Sequence, residues 1–177
     1  MSTFPKELDR LIGRRMKELG RVLFKEESDA LEGELFQSWV AAKRYDELIR
    51  RMHAVYDREG GLEECIVLGI ALQEAGDSER IDTLFRGLIN RRVKAFWANW
   101  DAALSGHPGH MRGCAKQASD AMEVYLEYYI RLANLGQQEK KEALRDEMLA
   151  FQARQRGATL PKAPKSSSKR TPPTGGA

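Results

Sequence analysis

The residues best suited to metal chemistry lie in one stretch rich in glycine and proline. His107 and His110 are separated by two residues, and Cys114 follows four residues later. Imidazoles and a thiolate are ligands that zinc prefers, so these three are the metal candidates. A fourth ligand is not evident, although Asp101 and Asp120 lie within reach. The alternative is a loop that holds two histidines by composition alone, and we therefore expect no metal and no cofactor.

Carboxylates are abundant, but none of them is arranged as an acid/base pair that stands out. Adjacent pairs such as Glu26-Glu27 and Glu63-Glu64 are interpreted as solvated helix faces that form weak surface ion pairs. The chain has no glycine-rich phosphate loop, no Gly-x-Ser-x-Gly elbow and no His-Glu-x-x-His motif. We predict no catalytic residues and a function in binding.

Basic residues offer a second kind of chemistry, the binding of nucleic acid. They occur on the faces of residues 10–21, 43–51 and 91–94, and the last group adjoins the aromatic residues Phe96, Trp97 and Trp100. Cations beside stacking groups are typical of single-strand binding, although core packing explains the aromatic residues as well. The residues of this alternative hypothesis are Arg10, Arg14, Lys17, Arg21, Arg50, Arg91, Arg92 and Lys94, together with the tail.

The net charge of +3 belongs to the C-terminal tail. Six of the 29 basic residues follow residue 153, where there is no Asp or Glu, so the body has 23 basic against 26 acidic residues. A mildly acidic body argues against a dedicated nucleic-acid-binding domain. No apolar run approaches a membrane span, the first residues lack the pattern of a signal peptide, and Cys65 and Cys114 fit free thiols. We expect a cytoplasmic protein without membrane contact.

Apolar residues recur with helical spacing through most of the chain, and no strand pattern is present. We predict one all-α domain over residues 1–156, with an amphipathic helix at 5–25 and helical hairpins at 28–58, 62–104 and 112–155. Ser28 is the expected N-cap of the second helix. The Pro-, Ser- and Lys-rich residues 157–177 cannot bury enough apolar surface to fold, so a disordered basic tail is expected.

One hairpin resembles the tetratricopeptide repeat. Leu68, Gly69 and Leu72 stand where that family has its Leu, small and aromatic residues, Gly76-Asp77 matches its turn, and the second helix continues with Ile81, Phe85 and Leu88. A looser copy contains Leu35, Phe36, Trp39, Leu48, Met52 and Tyr56, and a third contains Tyr125, Tyr128, Tyr129, Leu132, Gly136, Ala143 and Leu144. The resemblance implies stacked antiparallel hairpins, and the alternative is an irregular helical bundle.

The resemblance also implies a function and a site. The first helices of stacked hairpins would line a groove for a peptide or helix of another protein, whose identity the sequence does not give. An adaptor or chaperone-like protein would use the residues that this face presents, which are Gln37, Val40, Ile70, Gln73, Glu74, Ile130 and Asn134.

The aromatic end of the long fifth helix requires a cover. Phe96, Trp97 and Trp100 extend beyond the hairpin to which they belong. Either residues 114–135 or a second copy of the chain would shield them from water, and the intrachain cover is the preferred prediction. The second choice would make the protein a homo-oligomer.

Overall fold

The fold is all-α. The computed structural model describes residues 3–55, 61–105 and 109–157, and for 109–112 and 156–157 it describes the backbone alone. Within these residues there are seven helices and no strand. They are α1 (Phe4–Leu19), α2 (Lys25–Ala41), α3 (Tyr45–Val55), α4 (Gly61–Glu74), α5 (Ser78–Leu104), α6 (Gly109–Asn134) and α7 (Gln138–Gly157).

The junction between the first two helices differs from the prediction. Gly20 adopts a left-handed φ of 64° and ends α1, so the helix does not continue to residue 25. α2 starts at Lys25, and Ser28 therefore lies inside it and is not its N-cap. The Glu27 carboxylate accepts a hydrogen bond from the Phe24 amide at 2.8 Å, which is the interaction that an acidic residue at the third position of a helix provides.

Two later turns contain glycine in the left-handed conformation, whereas the turn between α2 and α3 contains Lys43 at a φ of 55°. Gly76 and Gly136 have φ values of 67° and 68°, and each ends a first helix of a hairpin. Asp77 then caps α5 by accepting a hydrogen bond from the Arg80 amide at 3.1 Å. Left-handed backbone is costly for residues with a Cβ atom, so these two turns are determined locally.

The helices form hairpins that stack in order along the chain. α2 packs on α3, α4 on α5, and α6 on α7. The first helices also contact one another, α2 with α4 and α4 with α6, while α3 contacts α5. The chain therefore builds one layer from α2, α4 and α6 against a second layer that contains α3, α5 and α7.

Close packing at the centre of the stack depends on Gly69. A Cβ atom at this position would lie 3.0 Å from Cζ of Phe85, so a larger residue would require the ring of α5 to move away from the backbone of α4. The other face of the Phe85 ring stacks on Tyr128 of α6, with centroids 5.4 Å apart and planes within 6°. One ring therefore joins α4, α5 and α6.

The aromatic end of α5 is covered from within the chain. Phe151 of α7 packs edge-on against Phe96 and Trp97 at centroid distances of 5.4 and 6.3 Å, and the Arg154 guanidinium lies 4.5 Å from the Trp97 ring. Phe96 is buried, and Trp97 and Trp100 are half-buried. Phe151 of α7 thus covers part of this end. α6, which contains the predicted residues 114–135, lies along the same part of α5, where Asn99 donates to Gln117 at 2.6 Å and Arg92 pairs with Asp120. Self-association through this end stays a prediction.

No helix in the described part of the chain is long and apolar enough to cross a membrane. The predicted disordered tail lies outside the described residues, except that Gly157 is the last residue of α7.

A second glycine makes room for a histidine between α3 and α5. His53 Nε2 lies 3.0 Å from the Leu84 carbonyl oxygen, and a Cβ atom on Gly87 would come within 2.4 Å of the same nitrogen. The hydrogen bond between α3 and α5 therefore requires glycine at position 87.

We expect Gly87→Ala to displace His53 and to lower the free energy of unfolding by about 1–3 kcal/mol. Gly33→Ala is the matched control, because nothing lies within 4 Å of its Cβ position, and it should stabilise the chain by about 0.5–1 kcal/mol. Urea unfolding followed by circular dichroism measures both. In a His53→Ala background the cost of Gly87→Ala should vanish, and an unchanged cost would contradict the steric argument.

Both cysteines are free and buried, as the sequence predicts. Burial raises the pKa of the Cys65 thiol to about 12 and also raises that of Cys114.

At pH 8 neither thiol should react with Ellman's reagent while the protein is folded, because almost no thiolate forms and access is blocked. In 6 M guanidinium chloride both should react within minutes. Rapid labelling of either thiol in the native protein would show that its helix opens readily.

Candidate functional site

An open groove lies between α2 and α4. Its volume is about 890 Å³. The groove lies in the layer of first helices and toward the N-terminal ends of both, where α2 contributes residues 25–37 and α4 contributes residues 63–67. These residues recur every three or four positions on each helix, so each helix turns one continuous face to the groove.

The floor of the groove is apolar and its walls are acidic. Phe36 and Val67 supply apolar side chains, and Gly33 adds no side chain between them. Five carboxylates and one lysine make up the charged part of the wall, namely Glu26, Asp29, Glu32, Glu63, Glu64 and Lys25. The groove therefore combines a narrow apolar strip with an excess of negative charge.

Arg51 of α3 pairs with Glu32 and Glu64, the two carboxylates that we call the inner wall of the groove. Its Nη2 lies 2.5 Å from Glu32 Oε1 of α2 and 3.2 Å from Glu64 Oε1 of α4. The guanidinium also lies 4.0 Å from the centroid of the Phe4 ring in α1. Only 9% of the Arg51 side chain is exposed. These contacts therefore replace the water molecules that would otherwise solvate the guanidinium.

The outer wall carries the charge that faces solvent. Glu26, Asp29 and Glu63 form no ion pair with any residue that the structure describes, and all three are exposed. Asp29 is one helical turn from both Glu26 and Glu32, so the acidic face extends along two turns of α2. The outer carboxylates are unpaired and the inner ones are paired with Arg51. The negative potential of the groove is therefore stronger at its outer wall than at its inner wall.

The structure places the predicted partner-binding residues on the layer of first helices, but in two groups. Gln37 lines the groove, and Val40 lies one turn further along α2, where it is half-buried. Ile70 and Glu74 continue the α4 ridge that Glu63 and Val67 begin. These four residues belong to the groove face or its extension.

The second group joins α4 to α6. Gln73 Oε1 accepts hydrogen bonds from Arg131 and from Asn134, both at 3.0 Å. Ile130 and Ile70 are 41% and 38% exposed and leave an apolar strip beside this contact. Gln73 and Asn134 thus bond to each other within the chain, so substitution of either would disturb the packing of α4 on α6.

The residues of the nucleic-acid alternative are scattered. Arg10, Arg14 and Lys17 are exposed on one face of α1, and Arg50 and Lys94 are exposed elsewhere. Arg21 forms a two-pronged ion pair with Glu27 at 2.7 and 2.8 Å, which lowers the pKa of Glu27 to about 2.

Two further cations of that set differ in exposure. Arg92 is only 8% exposed and pairs with Asp120 of α6 at 3.3 Å, so it contributes to no exposed basic face. Arg91 is half-buried.

The metal candidates fall largely outside what the structure describes. This holds for His107 and for the side chain of His110, while Cys114 is described and is buried. Within the described residues no group of three metal-binding side chains occurs.

A smaller pocket of about 370 Å³ lies on the other layer, between α3 and α5. His53 and Arg50 line it, together with Arg80, which is held by Asp46 at 2.7 Å and by Asp77 at 2.6 Å. These ion pairs nearly cancel the charge of the pocket, so it lacks the excess of one sign that marks the groove.

The sequence did not predict the acidic wall, because the N-cap of α2 was expected at Ser28, four residues after its position in the structure. With Ser28 as N-cap, Glu26 and Glu27 stand outside the helix and do not align with Asp29 and Glu32. The signal that could have located the wall is Glu27, three residues after Phe24, which marks the true helix start.

Comparison of the chain with protein-family models, with curated proteins and with solved structures finds no match. The groove is therefore the feature of this protein that bears on its function.

We expect Arg51→Met to lower the free energy of unfolding by about 3 kcal/mol, because it leaves two half-buried carboxylates facing each other across α2 and α4. The exposed Arg15→Met is the control, since its partner Glu18 is also exposed, and it should change stability by less than about 0.5 kcal/mol. Urea denaturation measures both. Adding Glu32→Gln and Glu64→Gln should restore much of the loss, and no restoration would show that Arg51 acts through packing alone.

Proposed function

We propose that this protein is a non-catalytic adaptor that holds a segment of a partner protein in the groove between α2 and α4. The observation that carries the proposal is the open groove of about 890 Å³ with an apolar floor and acidic walls. Recognition of an extended or helical segment needs an apolar contact strip for affinity and polar walls for register, and the groove offers both.

The wall charge determines what kind of segment fits. Five carboxylates against one lysine favour a segment that carries Lys or Arg residues beside small or apolar ones. Like-charged acidic segments would be repelled, so the wall also excludes wrong partners.

The position of the groove supports the tetratricopeptide-like interpretation of the hairpins. In that arrangement the first helices line the ligand surface, and here the groove lies between the first helices of two successive hairpins. Gly69, the small residue of the motif, admits Phe85 to the back of α4 and leaves the ridge of Glu63, Val67 and Ile70 on the other side.

The variant that tests the groove is Asp29→Lys. Asp29 is exposed and unpaired among the described residues, so its replacement changes the wall charge without breaking an internal contact. Glu34→Lys is the matched control, because it makes the same change of charge on an exposed part of α2 that does not line the groove.

We expect affinity purification from native cells to recover at least one protein with the wild type and with Glu34→Lys, and to recover it at least five-fold less with Asp29→Lys. Quantitative mass spectrometry measures the ratio. Equal recovery of every protein by the three baits would contradict the groove as the binding site.

Nuclease treatment of the same lysate separates the alternative function. The exposed row of Arg10, Arg14 and Lys17 on α1 is the observation that favours nucleic acid. Loss of all captured proteins after nuclease treatment, with no difference between Asp29→Lys and Glu34→Lys, would favour the basic faces over the groove.

A further inference from the structure

We propose that the chain's own basic tail, residues 158–177, docks in the acidic groove between α2 and α4. The inference uses the groove of the proposed function and adds a resident occupant that a partner segment would have to displace. The outer wall presents Glu26, Asp29 and Glu63 to solvent, so the occupant must supply positive charge.

The tail has the required chemistry. Residues 158–177 contain Lys162, Lys165, Lys169 and Arg170 and no acidic residue. Apart from Leu160, the residues between and after these cations are small ones and prolines, so few side chains besides the basic ones would have to fit the groove. An extended basic segment of this kind matches a groove with a narrow floor and acidic walls.

The tail also leaves the fold at the end of the stack where the groove lies. Gln73 bonds to Asn134, and Gly69 lies beside Arg131, so α4 and α6 run in the same direction. α7 runs opposite to α6, because Phe151 packs near Tyr125 while the turn between the helices lies at Gly136. The C-terminal end of α7 therefore lies at the end of the molecule where α2 and α4 begin.

The tail is long enough to reach the groove. Packed helices are about 8–10 Å apart, so a path from α7 past α6 and α4 to the groove is roughly 30 Å long. An extended chain advances about 3.3 Å per residue, and about ten residues after Gly157 cover that distance. Ser167 would then lie in the groove with Lys165 and Lys169 on either side of it.

Docking in cis would be effective even when each ion pair is weak. A tethered segment has an effective concentration in the millimolar range, so a modest intrinsic affinity suffices to fill the groove. A partner segment would compete with the tail for the groove. Only a segment that binds more tightly than the tethered tail would displace it. Modification or neutralisation of the tail lysines would release the groove.

The test is intrachain disulfide formation in the full-length protein. Gly33→Cys places a thiol on the groove floor at a position where a Cβ atom meets nothing within 4 Å, and Ser167→Cys supplies the partner thiol. Ser38→Cys with Ser167→Cys is the matched control, because residue 38 is exposed on α2 and does not line the groove. The native thiols are buried and do not compete.

With oxidised glutathione at 50 mM NaCl, we expect the Gly33→Cys pair to form a monomeric disulfide at least ten-fold faster than the Ser38→Cys pair. Adding Asp29→Lys, or raising NaCl to 500 mM, should reduce this preference to less than three-fold, whereas adding Glu34→Lys should leave it unchanged. Non-reducing electrophoresis with peptide mapping gives the rates.

Equal rates for the two pairs at low salt would overturn tail docking, and so would a preference that Asp29→Lys leaves intact. These outcomes are separable from failure of the proposed function. If both cysteine pairs cross-link equally but a partner protein still depends on Asp29, the tail proposal is wrong and the adaptor proposal stands. If cross-linking is specific to Gly33→Cys but no partner depends on Asp29, the tail proposal stands and the adaptor proposal is wrong.

Discussion

The structure depends most on one buried cation. Arg51 of α3 contacts carboxylates on α2 and α4 and the Phe4 ring of α1, so a single side chain links the first four helices. A guanidinium with 9% exposure is tolerated only when such partners replace its water. Because Glu32 and Glu64 also form the inner wall of the groove, the interaction that holds the helices together also sets the charge of the candidate site.

Buried arginines also link helices at the next interfaces of the stack. Arg92 of α5 pairs with Asp120 of α6, and Arg131 of α6 donates to Gln73 of α4. Directional hydrogen bonds from a planar cation add to the apolar packing in fixing the register of the helices that they join.

The proposed function and the tail proposal both follow from a separation of charge. The body is acidic and the tail is basic, and the structure concentrates unpaired acid on one face of the first helices. A tail docked as proposed would be a tethered counter-charge on that face. It would limit nonspecific attraction of basic proteins, because a competitor would have to offer more than charge to displace it.

The sequence by itself determined the helical class, the buried stripe of each helix and the turns at Gly76 and Gly136, because these follow from local spacing and backbone freedom. It also placed Gly69 at the small position of the motif, but not the Phe85 ring that packs against it. Only the tertiary structure decided which carboxylates meet. Glu32 and Glu64 are far apart in the chain, and they become neighbours because α2 and α4 pack side by side around Arg51. A groove is a relation between two helices, so the periodicity of either helix alone cannot specify it.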